Sequence, residues 1–342
     1  MTPRRIALVG LGMAVTPHAK SLLDLKDRAI VVAAFSPSES RRKSFAAKFP
    51  FPLTDNLDAI VNDKSIDAVG VLTPPNTHLE IVTALARSGK HILLEKPLDI
   101  SMARSEEIVR VAAAAGVKVG VMLQHRFKPA ALRLAAILKA GELGRIVNCS
   151  TQIPLWRSQA YYDVEGRGTL ARDGGGVLIT QGIHTLDLML SLAGPVSEVC
   201  GYVTTSAAHE METEDLVCAA AQFESGAIGT IAATTAAYPG FPERIEFIGT
   251  KGTAALIGAA LYVHYHDGRR HEMPPDPPAP NAVNDPMAFP HDYHLGVWRD
   301  FLDALDGDRE PCISAAEALK VHRLVDALLA AGAKGGAVRV PA

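Results

Sequence analysis

The sequence contains few cysteines and no long apolar run. Four of its 342 residues are cysteines, Cys149, Cys200, Cys218 and Cys312, and they form no CxxC pair. This spacing argues against a disulfide framework and a structural zinc site, so we expect buried thiols in a reducing compartment. No run reaches the roughly 18 apolar residues of a membrane helix, and no cleavage site follows the apolar start. We therefore expect a cytoplasmic protein with no membrane partner.

Neither sign of charge is in excess. Lys and Arg total 34, Asp and Glu total 37, and the formal net charge is -3 at pH 7. A nucleic-acid-binding protein usually carries a clustered basic patch, so we expect no nucleic-acid partner. The length exceeds the roughly 250 to 300 residues at which one core stops growing. We therefore predict two domains.

Residues 1–123 alternate short apolar runs with amphipathic stretches. The runs are IALVG, AIVVAAF, AVGVLT, HILLE and VKVGVML. Strands that are apolar on both faces, each followed by a helix, form a parallel sheet covered on both sides. The pattern predicts a doubly wound α/β domain.

Residues 124–342 have a different pattern, in which a few helices accompany consecutive alternating strands joined by short glycine-containing turns. It predicts an α+β domain with a largely antiparallel open sheet. Seven prolines between Pro274 and Pro290 predict a loop, which could act as a lid. Helical spacing from Ala315 onward predicts a tail that packs back on the first domain.

The segment GLGMAV follows the first strand. In a dinucleotide fold the first glycine permits a tight turn, the second lets the backbone approach the pyrophosphate, and a third small residue packs helix on strand. Here Gly10 and Gly12 are present and Val15 replaces the third. The alternative is an ordinary turn after a buried strand. Because a helix follows, we favour a cofactor turn that includes Met13 and Ala14.

The end of the second strand reads AAFSPSESRR, where NAD-binding folds carry an acid for the ribose 2′-hydroxyl. No acid stands at Phe35 or Ser36, whereas Ser36, Ser38, Arg41 and Arg42 offer hydroxyl and guanidinium groups. This favours NADP over NAD. The alternative is that the two arginines only begin a solvated helix.

Two further strand ends carry polar residues, in VLTPPNTHLE and HILLEKPL. The carboxyl ends of parallel strands share one edge of the sheet, at which ligands bind. A lysine after a buried strand is costly unless it meets a ligand or a carboxylate, although it could also be a surface lysine at a strand end. The residues that we expect to contact the cofactor here are Thr73, Pro74, Asn76, His78, Glu95 and Lys96.

The GxG turn, TPPNTHLE, EKP and a later GGG stretch that leads to a histidine together resemble the Gfo/Idh/MocA oxidoreductases, the family of glucose–fructose oxidoreductase and inositol dehydrogenase. The resemblance spans nearly the whole chain. It implies a Rossmann dinucleotide-binding domain, a second domain whose sheet forms a homodimer or homotetramer, and hydride transfer on a sugar, cyclitol or related hydroxy compound such as a hydroxy acid. It also implies that Lys96 is the catalytic lysine.

The family's second signature resembles RDGGGVLITQGIHTLDLML, residues 172–190. In a helix, Thr180, His184 and Asp187 would share one face. The family's common form has an aspartate four residues before the histidine, and Thr180 stands there instead. Thr180 cannot titrate near neutrality, so His184 would act alone as acid or base, oriented by another carboxylate or by Thr180. The neutral Thr180 also makes the local charge less negative than in the common family form, which favours acidic or aromatic substrates. The alternative is a buried helix histidine with no catalytic role.

The intervening segment PLWRSQAYYDVEGRGTLARDGG combines aromatic rings with charged groups, which suits a polyol. The alternative is a loop held by ion pairs. The resemblance places Trp156, Arg157 and Gln124 at the cofactor. It implies that the residues at the substrate are Lys96, Arg126, Tyr161, Tyr162, Asp163, Thr180 and His184.

Two histidine-containing segments, HYH at 264–266 and HDYH at 291–294, raise the question of a metal. His264 and His266 share a strand face but have no third ligand of known placement. We predict no metal site; at most, His291 or His294 contacts the substrate.

Two other functions fit the same residues. Some enzymes that resemble this chain use the nicotinamide transiently, so that the net reaction is glycoside cleavage or a lyase reaction. Others bind a dinucleotide as regulators without turnover, and they have no need of Lys96 and His184. We expect an NAD(P)-dependent dehydrogenase that acts on CH–OH groups.

Overall fold

A computed structural model describes residues 2–275 and 290–341. In these ranges the chain divides into two compact units, residues 2–124 with 290–319 and residues 125–275 with 320–341. Most of the proline-rich segment that predicted a loop lies outside the described residues. Among the helices that the structure describes, none combines the length and the apolar character that crossing a membrane requires.

The first unit contains a parallel sheet. In the described part of this unit the strand order is β3-β2-β1-β4-β5-β6, and all neighbouring strands run parallel. The strands are β1 (Arg4–Val9), β2 (Ala29–Phe35), β3 (Leu53–Thr54), β4 (Ala68–Val71), β5 (His91–Leu94) and β6 (Val119–Val121). All carboxyl ends therefore lie at one edge, and the predicted α/β domain is confirmed. The two-residue strand β3 was not predicted.

Helices alternate with these strands. They are α1 (Val15–Asp24), α2 (Glu39–Ala46), α3 (Leu57–Asn62), α4 (His78–Arg87), α5 (Met102–Ala115) and, later in the chain, α9 (Asp292–Asp306). Short 3₁₀ turns occupy Pro75–Thr77 and Gln124–Phe127. Side-chain oxygens of Ser38, Asn56 and Ser101 accept backbone N–H groups and cap the starts of α2, α3 and α5.

The helix α9 packs in the first unit, although the sequence prediction assigned all of residues 124–342 to the second domain. Its Trp298 and Phe301 are buried over Gly70 in β4 and Gly120 in β6. An added Cβ on either glycine would stand within 3.3 Å of these rings. The glycines thus make room for a returning helix, a long-range effect that the local pattern does not reveal.

The second unit contains a mixed, mostly antiparallel sheet. Over its described residues the order is β14-β13-β12-β11-β7-β10-β9-β8-β15, and the β7–β10 pair is parallel. The strands are β7 (Ile146–Pro154), β8 (Val196–Thr204), β9 (Leu216–Phe223), β10 (Ile228–Thr234), β11 (Arg244–Gly249), β12 (Gly252–Ile257), β13 (Ala260–Tyr265), β14 (Arg270–Met273) and β15 (Val338–Arg339). The predicted open sheet is confirmed.

Helices cover one side of this sheet. They are α6 (Pro129–Lys139), α7 (Gln159–Tyr162), α8 (Ile183–Ala193), preceded by a π-helical turn over Leu178–Gly182, and α10 (Ala315–Lys334), which continues into this unit from Lys320. Alternate strand residues face the helices, as the burial of β9 shows. The opposite face exposes Tyr202, Ile228 and Ile248.

The prediction of four buried cysteines is wrong. Cys149 is buried, and burial raises the pKa of its thiol to about 12. Cys200, Cys218 and Cys312 are exposed. Cys200 and Cys218 alternate with inward residues on β8 and β9, so strand periodicity puts them on the outer face.

Candidate functional site

The turn after β1 has a geometry that only glycine allows at its first position. Gly10 has φ +107°, and an added Cβ would lie 2.7 Å from the backbone carbonyl of Leu72. An added Cβ on Gly12 would meet nothing within 4 Å, so space remains over the turn. The helix α1 begins at Val15, whose side chain is buried. The turn therefore forms without a third small residue.

The start of α1 is suited to an anion. The first N–H groups of a helix have no intrahelical partner, and Ala14, at the N-cap, has no side-chain oxygen to satisfy them. Met13 is 68% exposed and adjoins the open turn. A pyrophosphate fits this combination of open backbone and helix N-terminus.

Two neighbouring arginines after β2 have different roles. The Arg42 guanidinium donates to the Ser36 carbonyl at 2.6 Å and to Asp55 at 3.3 Å, so it holds the loop. Ser36 is buried, and the Ser38 hydroxyl caps α2 by accepting the Arg41 N–H at 3.4 Å. The Arg41 side chain is exposed. Only Arg41 of this pair presents its charge at the surface.

His78 supports the loop between β4 and α4. Its side chain is fully buried, its Nε2 lies 2.9 Å from the Thr73 carbonyl, and its Nδ1 lies 3.1 Å from the Pro97 carbonyl. Burial lowers the pKa of His78, although these carbonyls oppose the shift. We expected His78 to contact the cofactor, but its buried ring instead connects the loop after β4 to the loop after β5 through these two carbonyls. Thr73, Pro74 and Asn76 retain exposed surface there.

Glu95 and Lys96 follow β5 at the same sheet edge. The Glu95 carboxylate is buried; its Oε1 lies 2.8 Å from His18 Nε2, and its Oε2 accepts the Lys96 N–H at 3.1 Å. Burial raises the pKa of Glu95, but the His18 hydrogen bond and nearby charges outweigh it, and the net shift is downward. The buried Glu95 carboxylate thus holds the backbone of Lys96. The Lys96 side chain itself is only partly buried.

Gln124, which we expected at the cofactor, ends the first unit. It is 9% exposed, and within the described residues its Oε1 is buried without a hydrogen-bond partner. A buried carbonyl oxygen in this state is costly unless a donor pairs with it. The residue therefore fits a ligand that brings an N–H or O–H group.

In the second unit, aromatic residues pack among arginines. The Tyr161 ring lies 4.4 Å from the Arg167 guanidinium carbon and 5.6 Å from that of Arg157. Tyr162, which we expected at the substrate, is instead buried, and its hydroxyl hydrogen bonds with Thr235 at 2.7 Å. Burial raises the pKa of Tyr162.

The other residues predicted here remain at or near the surface. Asp163 is exposed and accepts a hydrogen bond from Gln159 at 3.0 Å. Trp156 is half-buried and bridges to Ala236, and its carbonyl accepts from the Arg157 guanidinium at 2.7 Å.

The glycine triplet begins the helical segment that carries His184. Gly176 and Leu178 donate their N–H groups to the two oxygens of Glu214, at 2.9 and 3.1 Å. An added Cβ on Gly176 would stand 1.7 Å from the Glu214 carbonyl oxygen. Burial raises the pKa of Glu214, and the backbone N–H groups oppose that shift. Glu214 therefore acts as the cap of this segment.

The helical segment that carries Thr180, His184 and Asp187 departs from the regular α-helix that the sequence predicted. The π-helical turn before α8 widens the chain between Thr180 and His184 beyond 3.6 residues per turn. The Thr180 hydroxyl donates to the Gly176 carbonyl at 2.5 Å. Asp187 is buried and pairs with Arg126 through two hydrogen bonds of 2.7 and 2.5 Å. Arg126, expected at the substrate, is thus engaged by Asp187.

His184 lies beside a second histidine. Its ring centroid is 4.9 Å from that of His125, and the planes differ by 32°. His125 Nδ1 lies 3.7 Å from Glu243 Oε2, and Lys128 Nζ lies 3.8 Å from the same oxygen. Burial lowers the pKa of Lys128. His184, half-buried, therefore has an imidazole and a carboxylate in its surroundings.

Glu214, Asp215 and Glu243 are the polar groups that sequence reasoning missed. Asp215 pairs with His209 at 2.6 Å, and both side chains are fully buried; His209 also contacts the Arg157 carbonyl at 2.9 Å. A signal was present, since Glu214 and Asp215 stand where a buried strand begins, and buried carboxylates require partners. The partners themselves are distant in sequence.

The buried groups near Lys96 include a possible metal-ligand set. One ligand atom each of His18, Glu95 and His294 lies within 4.8 Å of the others. Burial lowers the pKa of His294 to about 3. Of the histidines that the sequence singled out, His294 belongs to this set, whereas His291 pairs with Asp24 at 2.7 Å and His264 is exposed on β13.

Comparison with known proteins agrees with this architecture. D-apiose dehydrogenase of Paraburkholderia graminis is 25% identical over 98% of this chain and 89% of its own. The scyllo-inositol 2-dehydrogenase (NAD(+)) of Bacillus subtilis is 28% identical over 76% of this chain and 75% of its own length. The crystal structure of the WlbA dehydrogenase from Bordetella pertussis, in complex with NADH and UDP-GlcNAcA, superposes with a TM-score of 0.85 at 27% identity over 99% of both chains.

Two family descriptions match successive parts of the chain. Residues 4–123 match the oxidoreductase family with an NAD-binding Rossmann fold, and residues 131–255 match the Gfo/Idh/MocA C-terminal domain. The two matches follow the parallel sheet and most of the antiparallel sheet. The chain therefore belongs to the Gfo/Idh/MocA family of oxidoreductases.

Proposed function

We propose that this protein is an NAD(P)-dependent dehydrogenase that transfers a hydride between nicotinamide and a CH–OH group of a sugar, cyclitol or related hydroxy compound. The observation that carries the proposal is the shared sheet edge, at which Lys96 follows β5 and the Gly10–Gly12 turn follows β1. Relatives named for cyclitol and sugar substrates support the substrate class.

The first unit has groups that fit a dinucleotide. The open space at Gly12 and the start of α1 would hold the pyrophosphate, and Thr73 and Pro74 border the same edge. The unpaired oxygen of Gln124 suits a carboxamide donor. Trp156 and Arg157 remain proposed cofactor contacts on the strength of the family resemblance. When bound, the nicotinamide ring supplies the hydride acceptor or donor.

Two side chains of this protein would assist the transfer. In the oxidation direction, His184 accepts the proton of the substrate hydroxyl, and the Lys96 ammonium stabilises the negative charge that develops on the oxygen. Reduction uses the same groups in reverse. Tyr161 and Asp163 keep exposed surface and are the remaining proposed substrate contacts.

His184 would work without the aspartate of the common family form. Thr180 cannot exchange a proton near neutral pH, and its hydroxyl is bonded to a backbone carbonyl. The His125 ring, which lies 4.9 Å from the His184 ring and has Glu243 near its Nδ1, would orient His184. In this proposal, His125 takes over the orienting role that a carboxylate on the helix has in the common family form.

We also propose a preference for NADP. Arg41 is exposed at the end of β2, where no carboxylate stands at Phe35 or Ser36. A guanidinium there would pair with a 2′-phosphate. Arg41→Ala should weaken NADP binding by about 1 to 3 kcal/mol and leave NAD unchanged, measured by fluorescence titration. Lys43→Ala, which removes an exposed charge on the same helix, is the matched control; equal losses in both variants would contradict the preference.

The proposed chemistry is tested by two substitutions after a screen of sugars, cyclitols and sugar acids with both cofactors. Lys96→Met should lower kcat by about two to four decades with cofactor affinity near wild type, because the charge acts mainly in the transition state. His184→Ala should lower kcat by about 100- to 10,000-fold. Folded variants with activity within tenfold of wild type would remove these residues from the chemistry.

The same screen separates the alternative functions. A dehydrogenase produces reduced cofactor in proportion to oxidised substrate. A transient-redox enzyme would cleave or eliminate with no net change at the nicotinamide absorbance. A regulator would bind the dinucleotide with no turnover at all.

The open face of the second sheet is the proposed contact between copies of this chain. Tyr202 is 83% exposed, Ile228 62% and Ile248 47%, on β8, β10 and β11. Apolar side chains on a broad sheet face favour self-association. We propose a homodimer or homotetramer formed through this face.

We propose that the protein works in the cytoplasm. Cys200, Cys218 and Cys312 are exposed free thiols, and exposed thiols persist best in a reducing compartment. Fractionation of the native host with an antibody against the protein would test this location.

A further inference from the structure

A chain of hydrogen bonds connects α9 to the loop that carries Lys96. Trp298 Nε1 donates to His18 Nδ1 at 3.2 Å, and His18 Nε2 lies 2.8 Å from Glu95 Oε1. The other carboxylate oxygen, Oε2, accepts the Lys96 N–H at 3.1 Å. Trp298 and His18 are 0% exposed, and Glu95 is 9% exposed. Water therefore has little access to these bonds.

The indole of Trp298 and the carboxylate of Glu95 require the same tautomer of His18. An indole N–H can only donate, so His18 Nδ1 must accept, and the proton of the neutral ring lies on Nε2. That proton points at the Glu95 carboxylate, which can only accept when ionised. The chain therefore has a single direction, from Trp298 through His18 to Glu95.

The same tautomer argues against a metal at His18, Glu95 and His294. A metal would need the lone pair of His18 Nε2, and a neutral ring with its lone pair there would carry its proton on Nδ1. That proton would face the indole N–H of Trp298 at 3.2 Å. The short distance between the ligand atoms of His18 and Glu95 is therefore better explained by a buried hydrogen-bond chain, beside which the His294 ring lies 5.2 Å from the His18 ring.

We propose that Trp298 and His18 are positioning residues, which hold Glu95 so that its carboxylate fixes the backbone at Lys96. The inference rests on the proposed function, in which Lys96 stabilises the developing alkoxide. With one oxygen held by His18 and the other by the Lys96 N–H, the carboxylate cannot rotate without losing a buried bond. The peptide that carries the lysine thereby has one preferred orientation.

The role of positioning predicts a loss in kcat more than in KM. The Lys96 charge acts mainly on the transition state, so a displaced lysine should bind substrate almost as before and react more slowly. A displacement of about 1 Å can reduce the rate by about 100-fold. We therefore expect kcat to fall by about 10- to 100-fold when the chain of bonds is broken.

Three substitutions test the chain of bonds in the full-length enzyme. His18→Leu removes both bonds of the ring, and Trp298→Phe removes the indole N–H but keeps an aromatic ring. His18→Gln is the rescue variant, because its amide can donate to Glu95 and accept from Trp298. We expect kcat to fall in the first two variants and to stay within about threefold of wild type in the third.

The matched control is His322→Leu. His322 is a histidine of the second unit that is 6% exposed, and it lies outside this chain of bonds. Its replacement removes a buried imidazole without touching the Lys96 loop. Loss of stability with unchanged kcat is the expected result, and a kcat as low as that of His18→Leu would overturn the proposal.

A second measurement does not depend on activity. In protein labelled with ¹⁵N-histidine, the His18 signals, assigned by their absence in His18→Gln, should report the Nε2–H tautomer in the wild type. In Trp298→Phe the Nε2–H form should persist, because the ionised Glu95 carboxylate still accepts that proton, and the signal of the unprotonated Nδ1 should shift because the indole N–H is lost. An Nδ1–H ring in the wild type, or one equivalent of a divalent metal that is lost in His18→Leu, would overturn the proposal.

The outcomes also separate this inference from the proposed function. If Lys96→Met is inactive while His18→Leu and Trp298→Phe keep the kcat of the wild type, the function stands and the positioning role fails. If Lys96→Met is fully active, the proposed function fails, and the tautomer measurement still reports whether the chain of bonds exists.

Discussion

Replacing Arg126 should destabilise the second unit, because the buried Asp187 carboxylate would lose the guanidinium that pairs with it. The two groups form hydrogen bonds of 2.7 and 2.5 Å, and their side chains are 12% and 1% exposed. Two unit charges about 4 Å apart attract by about 4 kcal/mol at an effective dielectric constant near 20. Breaking such a buried pair typically costs about 3 to 5 kcal/mol. We expect a loss of this size in Arg126→Met.

The assay is unfolding by urea and by heat, followed by circular dichroism. For a unit of this size, about 3 to 5 kcal/mol corresponds to a melting temperature lower by about 6 to 20 °C. Arg133→Met, which removes an exposed arginine in the same unit, is the control and should change little. The double variant Arg126→Met with Asp187→Leu should regain much of the loss, since it leaves no unpaired charge.

The kinetic result distinguishes this role from the one that the sequence predicted. If Arg126 bound the substrate, Arg126→Met would raise KM in a protein as stable as wild type. That outcome, or a double variant no more stable than Arg126→Met, would refute the reasoning.

Three further predictions concern other parts of the chain. Gly176→Ala should lower the free energy of unfolding in urea by more than about 3 kcal/mol, because the new Cβ would lie 1.7 Å from a backbone oxygen. Gly336→Ala is the control and should be nearly neutral, because nothing lies within 4 Å of its Cβ position. Similar losses in the two variants would contradict this prediction. Burial lowers the pKa of His322 to about 4, whereas the pKa in the unfolded chain is near 6.5. Below pH 6.5 the unfolded chain therefore binds a proton that the folded protein does not bind. We expect the free energy of unfolding to fall by about 3 kcal/mol between pH 6.5 and pH 4. His322→Leu should remove that slope of unfolding free energy with pH, and an unchanged slope would show that His322 is not its source. Tyr202→Glu should dissociate the proposed oligomer, which light scattering would show as a lower molar mass. Leu132→Glu is the control and should leave the mass unchanged, because Leu132 is 52% exposed on α6, away from the sheet face. A monomeric wild type would contradict the sheet interface.

Local sequence patterns were sufficient to predict most strands and helices of the first unit and the edge of its sheet at which polar residues gather. Five of the parallel strands and the helices after them follow from apolar runs and amphipathic spacing, because that spacing alone decides which face of an element can be buried. The glycine turn and Lys96 follow from it, since the carboxyl ends of parallel strands must share one edge. The pattern did not reveal β3, whose two residues are too few to show a period.

Tertiary structure decided which polar side chains are available and which are engaged. The sequence by itself marked Arg126, Tyr162, His78 and Glu95 as contacts for ligands. In the fold each is bound to a partner that comes from a different element. Such pairing depends on long-range packing, as when α9 brings Trp298 to His18 across 280 positions of sequence. A residue type indicates the chemistry that a side chain can perform. Only the fold determines whether that side chain is bound to another part of the protein or remains available to a ligand.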